Sequence, residues 1–305
     1  MINIEAFVKN LKNVERSMSY LANILKRLGF PKDCSEEVLN AYQKIKDKKE
    51  IEKILKQYKN EKIDFPKVIK SWQPVLKKYK INQYLGDLLF CLLLCEKQEA
   101  LYQKNKLSNA LFIETMKDLK YKAIECKLVK HTWGLFVTPW YGSFFKLKLF
   151  SLGRLQFEVY TFLADYDYKN IHLKAGQPCL NVHIPRDGNP LDINECKKSI
   201  VRAKKFFKPY FKNYILFSCD SWFLFDKTLE FVGKDSNIYK FSKFFKIIKM
   251  IPVKDQEEEM WRLFDDDTSD LSKLKADTSL RKKYLKYLKQ GGKIALGLGY
   301  FIYKF

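Results

Sequence analysis

One feature constrains this chain more than any other: its hydrophobic period changes part-way along. Over residues 1–122 apolar side chains return every three or four positions, and beyond about residue 128 they alternate, with many aromatic and β-branched residues. A helix brings the same face round every 3.6 residues and a strand every second one, so a stretch written in one period cannot serve as the other. The pattern therefore predicts an α+β chain in two parts, a helical domain over 1–127 and a mixed α/β domain over 128–305. A length of 305 residues suits two domains, and 47% hydrophobic residues supply a core for each.

The helical part is punctuated by its own stop and start signals. Ile4, Phe7, Val8, Leu11, Val14, Leu21, Ile24, Leu25 and Leu28 keep one face until Gly29 and Pro31 interrupt it. Asp33 with Glu36, and Asp47 with Glu50, have capping-box spacing, and Pro66 suits a first helical turn. With 81–104 and 108–122 the count is five or six helices, carrying no catalytic motif. A scaffold or substrate-shaping role is expected.

In the second part, strands are expected at 131–140, 143–162, 179–184, 214–219, 238–241, 244–251 and 294–305. Helices are expected at 192–207, 227–231, 256–264 and 278–290, with a polar loop at 185–190 and longer loops at 165–178 and 265–277. The order opens with a meander and continues strand, helix, strand, which is a mixed sheet with helices packed on it.

Composition excludes several classes. Seven scattered cysteines without a C-x-x-C pair read as reduced thiols of a cytoplasmic protein, not a disulfide framework. The longest apolar run, Leu88 to Cys95, is far short of the ~20 residues a membrane helix needs, and no export signal is evident. No metal is expected, because no His or Cys ligands have zinc spacing, and Cys91 with Cys95 reads as core. The net charge of +22 is spread over both parts, with 27 basic and 16 acidic residues in 1–130 and 30 and 19 beyond. Lysine supplies almost all of it, whereas base-edge readout favours the arginine fork, so nucleic acid is not the expected partner and an anionic one is. The acidic run 255–270 reads as a solvated helix flank.

Several strings in the second part carry a resemblance: Leu152-Gly153-Arg154-Leu155-Gln156-Phe157-Glu158, Val182-His183-Ile184-Pro185, Ser218-Cys219-Asp220-Ser221-Trp222 before Ser236-Asn237-Ile238, and Gly297-Leu298-Gly299-Tyr300. With the strand order, they make the chain resemble a bacterial acyltransferase family that joins a helical N-acyltransferase N-terminal domain to a GNAT-like C-terminal domain. The resemblance implies transfer of an acyl group from acetyl-CoA or another acyl-CoA, without a metal, to an amine-bearing small molecule or peptide. An acidic acyl carrier protein is an alternative donor that would match the positive charge. A catalytically silent GNAT-like binding module is the other reading of the same resemblance.

What the resemblance implies about residues can be placed on this sequence. Strand 179–184 would offer its backbone at Val182 and Ile184 to the pantetheine arm. The following loop, with Arg186, Gly188 and Asn189, would meet the pyrophosphate at the start of helix 192–207, where free N–H groups favour an anion. The loop departs from the family's glycine-rich run: it has one glycine, and Pro190 removes a donor. Alternation puts Arg154, Gln156 and Glu158 on one strand face, and His183 shares a face with Asn181. Glu158 is either the base for an incoming ammonium or part of a structural Arg–Glu face, and His183 either a base or a structural histidine. Ser221 either bonds the pantetheine or caps a helix. Cys219 as a nucleophile would need a polarising partner such as His183. The tyrosine that would protonate the departing thiolate is not singled out among eighteen.

Overall fold

The computed structural model describes residues 17–59, 65–168 and 170–305, so the expected periodicity from Ile4 to Val14 lies outside the described residues. The chain divides into two compact units, Met1–Leu147 and Lys148–Phe305.

All regular structure described in the first unit is helical, as the period requires: α1 over 17–28, α2 Lys32–Ile45, α3 Lys49–Lys59, α4 Phe65–Lys78, α5 Gln83–Lys104, α6 Asn109–Met116, α7 Asp118–Lys130 and α8 Tyr141–Phe145. Leu21, Ile24, Leu25 and Leu28 of α1 are buried, which matches their three- and four-residue spacing. The hub is α5, capped by Asn82, whose side chain accepts the Tyr84 and Leu85 amides. It is buried nearly all round, through Leu88–Leu92, Leu94, Cys95, Gln98 and Tyr102.

Residues 131–140, expected as a strand, are not one. His131 ends α7 in the left-handed region, and the chain turns back across α5 to reach α8. Its aromatic residues fill the helical core: Trp133, Tyr141, Phe144 and Phe145 are buried, Trp133 Nε1 donates to Asp33 at 3.0 Å, and Gln98 Nε2 donates to the Phe144 carbonyl at 2.8 Å. The segment thus belongs with the bundle, and the two compact units divide after Leu147, later than the break at 127 expected from period alone.

The second unit is built on a six-stranded sheet in the order β1-β2-β5-β6-β8-β7, from β1 Leu149–Ser151, β2 Gln156–Thr161, β5 Pro178–His183, β6 Tyr214–Ser221, β7 Lys246–Pro252 and β8 Ala295–Lys304. All neighbours are antiparallel except β5 and β6, which are joined through α9, Ile193–Phe207. Residues 165–178, expected as loop, contain a short hairpin, β3 Tyr166–Tyr168 with β4 Ile171–Leu173. The expected strand 238–241 is helix α11, Asn237–Ser242, started by Ser236 capping the Tyr239 amide. The remaining helices are α10 Asp226–Val232, α12 Glu257–Phe264 and α13 Ser279–Lys289.

The two faces of the sheet differ in chemistry. One is aromatic: Phe150, Phe157, Phe217 and Phe301 share it by register, with Phe217 stacked on Phe301 at 4.5 Å and Phe150 against Phe206 and Phe207 of α9. The other is apolar where the hairpin covers it, in a cluster of Phe162, Leu173, Cys179, Leu216, Leu298 and Tyr300. Towards the C-terminal ends of β5 and β6 the same face becomes polar. Gly297 of β8 admits the turn after β6, since a Cβ there would lie 2.1 Å from the Leu224 carbonyl oxygen. This ties the two resemblance strings that contain Trp222 and Gly297.

Candidate functional site

The parallel ladder between β5 and β6 is short. Leu180 pairs with Phe217 and Asn181 with Ser218, and past those positions the two strands no longer pair. On its other side β5 stays paired with β2 as far as His183, and β6 stays paired with β8 as far as Ser221. The sheet therefore opens between Val182–His183 and Cys219–Ser221, leaving strand backbone there for something other than the neighbouring strand.

Alternation and register gather side chains at this opening. Gln156 lies opposite His183 and Glu158 opposite Asn181, so all four project from one face. Glu158 is 7% exposed, and its Oε2 lies 3.0 Å from His183 Nε2. An ionised carboxylate only accepts, so a bond to ionised Glu158 needs the hydrogen on Nε2, and a neutral ring then keeps its lone pair on Nδ1. Asn181 continues the row: its Nδ2 donates to Asp220 Oδ1 at 2.9 Å, and its Oδ1 accepts from the Ser218 hydroxyl at 3.4 Å. Cys179 Sγ is 3.4 Å from the same hydroxyl. Burial raises the Cys179 thiol to about 11, and the Asp220 and Glu158 carboxylates push in the same direction.

Tyr160, two residues beyond Glu158 on that face, is also pushed up, first by burial and then by the Asp220 and Glu158 carboxylates. It is a phenol held protonated beside the acidic pair. Tyr300 lies opposite Ser218, buried against Tyr166 and Phe162.

Of the expected site residues, Glu158 and His183 are brought together, and Ser221 is not joined to them. It falls on the opposite face by alternation, and its Oγ accepts the Phe223 amide at 3.2 Å, capping the turn that follows β6. Cys219 shares that opposite face; it is fully buried, and burial holds its thiol well above the usual range, so it offers no thiolate. Val182 is buried and Ile184 half-buried at the opening.

The loop after β5 is organised differently from the expectation. Arg186 is ion-paired with Asp265, which Arg281 Nη2 also meets at 2.5 Å. Burial raises the Asp265 carboxyl, but the bonds from Arg186 and Arg281 outweigh it and hold the group below the usual carboxylate range. The acidic run 255–270 is thus not simply a solvated flank. Asp187 does not face outward alone: its Oδ1 accepts the Asn189 amide at 3.0 Å and lies 3.8 Å from Arg154. Gly188 sits between them at φ +85. The first turn of α9 is acidic, with Asp192 accepting the Glu195 amide at 2.9 Å. A carboxylate already occupies part of the helix end that would favour an anion.

Sequence reasoning missed Asp220 as a partner of Asn181 and the service of Arg154 to the loop. The alternation of Ser218 and Asp220 put them on one face, but only the parallel register aligns that face with Asn181. Among the described residues no group of His, Cys, Asp or Glu is placed to hold a metal ion. No described helix is long and apolar enough to cross a membrane.

The chain is similar to known proteins in both units. Residues 19–147 match the model of the N-acyltransferase N-terminal domain and residues 149–301 that of the GNAT-like C-terminal domain. Among solved structures it is similar to an acyltransferase in complex with decanoyl-CoA and teicoplanin, at TM-score 0.70 and 19% identity, covering 92% of this chain and 86% of that one. A mutant acyltransferase with octanoyl-CoA superposes at TM-score 0.71 and 19% identity, covering 91% and 86%. An acyltransferase with CoA and 10C-teicoplanin does so at 0.68 and 18%, again covering 91% and 86%. No curated protein matches the chain in sequence. The short β5–β6 ladder, the helix joining those strands and the two matched domains lead to one conclusion: the chain belongs to the GNAT-like acyltransferase family that carries an N-acyltransferase N-terminal domain.

Proposed function

We propose that the protein transfers an acyl group from an acyl-CoA directly to the amine of a small molecule or peptide, with Glu158 and His183 managing the proton. The observation that carries this reading is the hydrogen-bonded Glu158–His183 pair on the face of the sheet where β5 and β6 part. The backbone of Val182 and Ile184, beyond the point where β5 pairs with β6, would bond the amide groups of a pantetheine arm lying along β5. An amine arrives mostly as ammonium at neutral pH, so a base must take its proton before or during attack. Glu158 is buried and fixes the ring of His183, and the imidazole accepts the proton. The amine nitrogen then bonds to the thioester carbon, the carbon–sulfur bond breaks, and the departing thiolate takes a proton from a phenol such as Tyr160, which recovers through solvent the second proton that the nitrogen gives up as it becomes an amide. No covalent enzyme intermediate is needed, in keeping with the burial of Cys219.

The loop of Arg186, Gly188 and Asn189 would meet the phosphates of the carrier. Solved structures with the same fold hold CoA, octanoyl-CoA or decanoyl-CoA, and teicoplanin accompanies some of them. Those precedents support an acyl-CoA donor and a bulky amine acceptor. An acidic acyl carrier protein remains the alternative donor for a chain of charge +22. Seven free cysteines fit a cytoplasmic setting. A second reading, a silent GNAT-like binding module, is favoured by one observation, the acidic first turn of α9.

Coenzyme A should raise the melting temperature of the full chain, because a ligand that binds only the folded state stabilises it by mass action. Release of free thiol from octanoyl-CoA should depend on an added amine. Binding without turnover across a broad panel of amines would favour the silent module. No binding at millimolar coenzyme A would remove that donor and leave the acyl carrier protein.

A further inference from the structure

The loop between β5 and α9 lacks the glycines that would let its backbone curl round a phosphate, yet it has a defined shape. Arg154, in the turn between β1 and β2, provides it. Its side chain is 9% exposed and its guanidinium spans the loop. Nη1 donates to the Pro185 carbonyl at 3.0 Å, Nε to the Pro190 carbonyl at 3.1 Å, and Nη2 to the Asn189 carbonyl at 3.4 Å. Both ends of the loop are thus tied to one rigid fork of donors, which a lysine could not reproduce.

The consequence for an anion follows from peptide geometry. In a trans peptide the C=O of one residue and the N–H of the next point in opposite directions, and no cis peptide is present among the described residues. Carbonyls of Pro185 and Pro190 turned inward to Arg154 therefore aim the amides of Arg186 and Leu191 outward. Asp187 is drawn in by the same guanidinium and by the Asn189 amide, which keeps its charge from the outer side. The turn that carries Arg154 is itself pressed on α9. A Cβ on Gly153 would stand 2.7 Å from Ser199 Oγ, and that hydroxyl accepts the Leu155 amide at 3.3 Å while donating to the Glu195 carbonyl at 3.0 Å.

We infer that Arg154 is a positioning residue for the carrier's phosphates: it holds the Pro185, Asn189 and Pro190 carbonyls inward, so that the amides of Arg186 and Leu191 face out at the two ends of the loop, in place of a glycine-rich run. This rests on the reading that the carrier is a coenzyme A thioester. The guanidinium touches neither phosphate nor thioester and acts only through the loop.

The test uses the full chain and two donors, octanoyl-CoA and octanoyl-pantetheine, the second lacking the nucleotide phosphates. Arg154→Ala should raise KM for octanoyl-CoA about ten- to a hundredfold, the scale of losing one or two hydrogen bonds to a charged group. It should leave kcat at saturation and KM for octanoyl-pantetheine within about threefold, since neither depends on the phosphates. Arg154→Lys, which keeps the charge but not the fork, should behave like the alanine variant and serves if the latter does not fold. Equal losses with both donors would make Arg154 merely structural, and an unchanged KM for octanoyl-CoA would end the inference outright. Were the wild-type chain to bind no coenzyme A, the carrier reading would fall first and the inference with it.

Discussion

The two units bury charged and polar groups in different ways, and the difference separates structure from chemistry. In the helical unit buried and half-buried carboxylates act as staples between elements far apart in sequence. Asp118 accepts the Tyr141 hydroxyl at 2.9 Å, Asp87 accepts Thr138 at 2.8 Å, and Glu99 joins Arg27 to Tyr20. In the sheet unit a row of buried and half-buried polar groups lines one face, from Gln156 and Glu158 through Asn181 and His183 to Ser218 and Asp220. The first arrangement joins each carboxylate to partners on other elements and holds helices in place. The second concentrates donors and acceptors where a sheet opens, beyond what holding the strands together requires. On this account, changes in the first unit alter stability and spare turnover, and changes in the polar row do the reverse.

The largest expected effect is on the row. His183→Ala should lower kcat roughly 10²–10⁴-fold, the range typical of a lost general base, with little change in coenzyme A affinity. Glu158→Gln keeps the size and a hydrogen-bonding oxygen, so a smaller loss of turnover with an altered pH–rate profile would mark it as acting through His183. Steady-state kinetics across pH separates the two. Intact turnover with weakened donor binding would instead make these side chains ligands of the carrier.

The corresponding change in the helical unit is Tyr141→Phe. It removes one hydrogen bond from a buried carboxylate, Asp118, at a cost of about 1–3 kcal/mol, and denaturant unfolding would read that loss. Turnover per folded molecule should stay within about twofold. A variant that folds normally but loses kcat would erase the proposed division between the units.

How much of this was legible in the sequence follows the range of the interactions. The helical bundle was readable because its signals are local: Pro66 lies in the first turn of α4, and Gly29 with Pro31 ends α1. Residues 131–145 were not, because aromatic density signals burial without saying in which element, and Trp133 is buried by a bond to Asp33 one hundred residues away. Residues 238–241 read as strand from their aromatic and branched side chains, whereas the structure starts α11 there with the Ser236 side chain on the Tyr239 amide. Alternation grouped Glu158 with Gln156 and His183 with Asn181 on their own strands, and the β2–β5 register puts the two groups on one face. Asp220 and Arg154 needed a parallel register and a contact between turn and loop, which one strand's pattern does not contain.

The smallest prediction sharpens the helical side. Burial raises the Asp87 carboxyl to about 6, although the bond from Thr138 lowers it in part. With the unfolded value near 3.9, the folded chain binds the extra proton between about pH 4 and 6, so Asp87 weakens the fold as pH rises through that window. Asp87→Asn should therefore melt at a higher temperature than wild type above about pH 6, by the equivalent of roughly 1 kcal/mol. The advantage should vanish near pH 4. An equal shift at both pH values would show that Asp87 is not held against its charge.

The central claim is that the Glu158–His183 pair drives acyl transfer from coenzyme A thioesters. The most direct measurement follows free thiol released from octanoyl-CoA and acylated amine formed together, for wild type and His183→Ala, with coenzyme A binding titrated on the same samples. The account predicts amine-dependent, equimolar thiol and acyl-amine from wild type. It also predicts a loss of roughly 10²–10⁴-fold in His183→Ala with binding unchanged. Wild-type turnover that survives in His183→Ala would contradict it.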